Sequence, residues 1–102
     1  MEKKKLQQHI SHLEKLLQNF REVKARGKET NSNKERARSI SEIEELVQNL
    51  EDYMRNNEEL LQQMTGKEIE LAREVDWNDV IRPSNFEEDL KAEISKLKKK
   101  AF

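Results

Sequence analysis

Apolar residues recur near the start of the chain at Leu6, Ile10, Leu13, Leu17 and Phe20, in alternating steps of four and three, with Leu16 and Val23 widening the stripe. A helix turns once in about 3.6 residues, so this spacing collects them on one face. It predicts a helix over residues 2–26, stopped by Gly27 behind Lys24 and Arg26, two cations suited to the negative end of the helix dipole.

Residues 27–38 carry Ala37 as their sole apolar side chain and are rich in Asn, Ser, Thr and charge, the pattern of a linker. Its far end has three candidate caps, because Ser32 with Glu35, Ser39 with Glu42 and Ser41 with Glu44 all match the capping box. The favoured start of the next helix is near Ser39 to Ser41, which sets Glu42, Glu44 and Glu45 at the positive end of its dipole.

The second periodic segment is the most regular: Ile40, Ile43, Val47, Leu50, Met54, Asn57, Leu61 and Met64 alternate steps of three and four. This heptad predicts a helix over residues 39–64 with a coiled-coil-like seam. Leu46, Tyr53 and Leu60 make its apolar face wide enough for a bundle, with this helix at the centre. Asn57 is the polar residue of the seam, in a position that elsewhere sets register or oligomeric state.

Thr65-Gly66 either ends this helix or lies inside a longer one reaching residue 75, since the seam continues through Glu68, Leu71 and Val75. Residues 76–83 break the pattern around Trp77 and form a connection that ends at Pro83. A last helix is expected over residues 85–101, capped by Ser84 with Glu87, with Phe86, Leu90, Ile94, Leu97 and Ala101 on one face. The expected fold is thus a single all-α domain, an antiparallel bundle of three long helices, or four if Thr65-Gly66 breaks the second.

Composition narrows the chemistry. A chain that is 40% charged and 33% hydrophobic, with two Gly and one Pro, suits solvated helices and rules against a turn-rich β fold. There is no cysteine, so no disulfide framework, thiolate nucleophile or Cys-based metal site is available. Neither a membrane span nor a signal-peptide core is visible after the basic start, and the chain is expected in the cytoplasm or nucleus.

Net charge is −1, but residues 1–38 hold 11 Lys/Arg against 5 Asp/Glu, whereas residues 39–62 hold one Arg against 7 acids. The first two helices are therefore expected to attract each other side by side.

His9 and His12, three residues apart, lack the further ligands a zinc site needs. No phosphate-binding glycine loop or nucleophile elbow is present. Neither catalysis nor a cofactor or metal is expected.

What remains is binding: a helical scaffold or adaptor subunit that meets a protein partner, or copies of itself, by helix packing. The residues expected at that interface are Ile43, Val47, Leu50, Met54, Asn57 and Leu61, with Trp77, Val80 and Ile81 as a second contact. Arg36 and Arg38 upstream of Ser39 and Ser41 make both serines candidate phosphorylation sites at a helix start. The alternative is a small helical regulator of a nucleic-acid machine, using the basic first helix and linker.

Overall fold

The computed structural model describes residues 2–66 and 80–102. Among these residues there are four α-helices, no strand and one short 3-10 turn, Pro83–Asn85. The helices are α1 (Lys3–Glu29), α2 (Asn33–Asn56), α3 (Glu58–Thr65) and α4 (Phe86–Ala101). The class is all-α. Seam positions Glu68, Leu71 and Val75, together with Trp77, lie outside the described residues.

α1 buries Leu6, Ile10, Leu13, Leu16, Leu17, Phe20 and Val23 along one side. It does not stop at Gly27. Glycine costs a helix interior about 1 kcal/mol, yet it keeps helical geometry when packing rewards the missing side chain. Here a Cβ on Gly27 would stand 3.1 Å from the Cβ of Ser39, so the glycine lets α2 approach. The helix instead ends at extended Thr30, whose N–H donates to the Arg26 carbonyl at 3.2 Å.

The expected linker over residues 27–38 shrinks to the turn around Thr30, Asn31 and Ser32. Of the three candidate caps the earliest is used: the Ser32 hydroxyl accepts from the Glu35 N–H at 3.4 Å. Thr30 reinforces it by accepting from the Ser32 N–H at 3.2 Å and donating its hydroxyl to the Glu35 carboxylate. A well-capped helix start tolerates two polar turns with no apolar contact, and that is why composition alone marked the segment as linker.

The second helix is also interrupted where the heptad looked continuous. Asn57 leaves helical geometry at φ −128° and ψ 69°, closing α2 and opening α3. Its side-chain amide donates to the Tyr53 carbonyl at 2.7 Å, and its own carbonyl accepts from the N–H groups of Leu60 and Leu61 at 3.0 and 3.2 Å. Asn57 is therefore a joint between helices: its amide satisfies a carbonyl that the broken ladder releases. At the far end Gly66, at φ 73°, takes the left-handed conformation that closes α3, and its N–H donates to the Gln62 carbonyl at 2.7 Å. Thr65-Gly66 is thus an end, and the longer helix to residue 75 does not pass through it.

α4 buries Phe86, Leu90, Ile94, Leu97 and Ala101, the face expected from its spacing. Its start differs. Asn85, not Ser84, occupies the cap position and makes no capping bond with its side chain, while Glu87 reaches across to α1 instead of closing a capping box. Two cations on a neighbouring helix outbid one backbone N–H for that carboxylate.

α1 is the helix that α2 and α4 share. Against α4 its contacts run in opposite order: Gln7 donates to the Ala101 carbonyl, Glu14 pairs with Lys98, Phe20 meets Phe86 at 4.8 Å between ring centres, and Arg21 and Lys24 hold Glu87 at 3.0 and 3.1 Å. Against α2 the order is opposite too, from His9 and His12 at Tyr53 to Arg26 at Glu42, 3.2 Å away. Helix two is therefore not the central element. The stripe of α1 is wider, and it lies between both partners.

Candidate interaction surface

α2 carries a broad apolar face: Leu50 is buried in the core, Ile43, Leu46, Val47 and Tyr53 pack in part against it, Ser39 lies against Gly27, and Ile40 stands exposed. Burial falls steadily toward the N-terminus: Leu50 and Met54 are fully buried, Ile43 and Val47 are half-buried, and Ile40 is 59% exposed. α4 begins at Phe86, level with Phe20, and Lys24 is the last α1 residue it binds among the described contacts, whereas the α1–α2 contacts run on to Arg26 and Glu42.

Of the residues expected to meet a partner, Leu50, Met54 and Leu61 are instead spent on the chain's own core. The heptad pattern that singled them out marks burial and cannot tell an internal neighbour from an external one. Ile81 is likewise fully buried, while Val80 is half-buried against the same core. Asn57 is half-buried at the helix joint, and Trp77 falls outside the described residues. Ile43 and Val47 remain accessible in part. Ile40, the first position of the heptad, was not among the expected contacts, yet it is the one large apolar residue exposed within a described helix.

The two candidate phosphorylation sites differ in the same way. Ser39 is half-buried against Gly27, whereas Ser41 is exposed on the opposite flank. A phosphate on Ser39 would have to part the two helices; one on Ser41 would not.

A polar cluster stands at the other end of α2. Tyr53 shares a short hydrogen bond with His9 Nδ1, and the ring of His12 stacks on Tyr53 at 4.0 Å and 15°. Burial lowers the pKa of His9, helped by His12 and Lys5 and opposed by Glu59; burial and Lys15 lower that of His12. Burial also raises the Tyr53 hydroxyl. For both rings the shift favours the neutral form. Among the described residues no three His, Cys, Asp or Glu side chains converge as metal ligands would.

An open groove beside the cluster is lined by Lys5, His9, Arg55, Asn57, Glu58 and Glu59. Its charges are mixed. No described helix is long and apolar enough to cross a membrane. No protein-family model matches the chain, and no curated protein or solved structure is significantly similar to it.

Proposed function

We propose that this chain is a helical scaffold or adaptor subunit of the cytoplasm or nucleus, an antiparallel bundle with coiled-coil-like seams that works by packing against a protein partner. One observation carries the reading: Ile40, which begins the apolar pattern of α2, is 59% exposed, and Ile43 and Val47 beside it are half-buried among the described residues. An isolated exposed isoleucine means little, but one at the head of a heptad is in the position where a further helix packs. The nucleic-acid alternative has less support, because Arg21, Lys24, Arg26 and Lys98 already sit on carboxylates of neighbouring helices.

The test is the native size of the tagged chain in lysates of the cells that produce it. The wild type should run as an assembly larger than its 12.2 kDa, and Ile40→Asp should run as the free chain while keeping its helicity. Leu50→Asp should behave differently and unfold, because it puts a charge into a fully buried position. A wild type that runs as a free chain at its native abundance would contradict the scaffold reading.

A further inference from the structure

Ser41 is exposed and carries arginines three and five residues before it, Arg38 and Arg36. In the folded helix those two side chains point to nearly opposite sides, because two residues amount to about 200° of rotation. In an extended chain residues two apart share one side, and both guanidinium groups then face the same way. Only the opened segment presents the pair together to a groove lined with carboxylates, where each can form charge-assisted hydrogen bonds. Ser39 has Lys34 and Arg36 at the same two distances, and a lysine cannot make the planar two-bond contact.

The structure makes that opening local. Between Asn33 and Ser41 no side chain is buried, and Ser39 alone among them is half-buried. The first hydrophobic residue of α2 packed against the core is Ile43. Roughly two and a half turns of helix are therefore held by Ser39 at Gly27 and by the preceding turn, where Ser32 accepts from the Glu35 N–H and Arg36 Nε donates to the Thr30 carbonyl at 3.3 Å. Segments with few buried contacts open well below the free energy of global unfolding.

We propose that Ser41 is a phosphorylation site for an arginine-directed protein kinase, and that the phosphate moves the start of α2 from Ser32 to Ser41. The γ-phosphoryl group of ATP passes to Ser41 Oγ, the bond between that phosphorus and the oxygen of departing ADP breaks, and the hydroxyl proton leaves to the kinase's base. Inside the helix the phosphate would share a flank with Glu44 and Glu45, three and four residues on, and would meet no free N–H. At a helix start it accepts from the unpaired N–H groups of the first turn and sits at the positive end of the dipole. Ser41 with Glu44 already matches a capping box that the unmodified chain passes over in favour of Ser32. The two starts are alternatives, and about two added negative charges at Ser41 select the later one. Arg36 and Arg38, once released from the helix, can fold back on the phosphate.

Incubating the purified chain with labelled ATP and an arginine-directed kinase, then mapping the modified residue by mass spectrometry, tests the site. Ser41 should take the label, Ser41→Ala should lose it, and Arg36→Ala and Arg38→Ala should each slow incorporation about tenfold, the effect of losing one charge-assisted hydrogen bond. Ser32→Ala should speed it about fivefold, because losing the cap favours the opened form. Label on Ser39 in place of Ser41, or no label, overturns the site. Rates that ignore both arginine substitutions overturn the paired recognition, and an unchanged rate in Ser32→Ala overturns the opening.

The shift of the helix start has its own readout, amide hydrogen exchange on the chain with phosphoserine installed at position 41 during synthesis. Protection should fall over residues 33–40 and persist over residues 45–56. Protection that persists from residue 33 onward overturns the shift.

Discussion

Gly27 and Ser39 stand so close that a Cβ on the glycine would lie 3.1 Å from the serine Cβ and 3.3 Å from its hydroxyl oxygen. This contact draws the tip of the α1–α2 hairpin together and fixes which way α2 is turned. With Ser39 held against α1, the next residue, Ile40, faces out. Gly27→Leu should force the helices apart and cost about 1–3 kcal/mol, the usual penalty of overpacking. Gly27→Ala should change little, because about 1 kcal/mol of helix propensity offsets a mild crowding. Urea unfolding of both variants checks the pair, and equal stability of Gly27→Leu and wild type would show that the approach is not needed.

The His9, His12 and Tyr53 cluster predicts a loss of stability on mild acidification. Burial holds both histidines below their ordinary value of 6.5, so the folded state favours the neutral rings. For a depressed histidine the stabilisation is complete above the unfolded pKa and declines as pH falls through it, levelling below the folded value. Glu87 acts lower on the scale: hydrogen bonds from Lys24 and Arg21 hold it below 4.5, and its contribution persists above that value and fades beneath it. The urea midpoint should therefore fall between about pH 7.5 and pH 5.5, and the double variant His9→Gln, His12→Gln should flatten that limb alone. A midpoint with the same slope in the variant would remove the cluster from the explanation.

Glu93 is a built-in cost. It is 6% exposed, one carboxylate oxygen accepts from Lys96 Nζ at 3.2 Å, and the other has no partner among the described residues. A buried acceptor left unmade costs about 1–3 kcal/mol, whereas an apolar side chain of similar volume does not. Glu93→Met should accordingly raise Tm by about 4 °C or more, as heat capacity scans would record.

The helical class and the buried faces of α1 and α4 were legible because periodicity reports burial directly. Places where one residue serves two helices were not. Gly27 reads as a stop until Ser39 is seen beside it, and Glu87 reads as half of a capping box until Arg21 and Lys24 offer it a better bond. Asn57 keeps the heptad phase unbroken in sequence, yet its amide caps the Tyr53 carbonyl and opens the helix.

The candidate surface was harder to read for a related reason. Ile43 and Val47, expected at an interface, are half-buried against the core, while Leu50, Met54 and Leu61 carry the same pattern and are buried within it.

The most direct test of the interaction surface is a photo-crosslinking amino acid placed at position 40 in the cells that produce the protein, with position 15 on the solvent side of α1 as control. Irradiation should yield protein adducts from position 40, to a second copy or to another chain, and few from position 15, where Lys15 is exposed. Equal and sparse adducts from both positions would contradict the claim that the Ile40 stripe meets a partner.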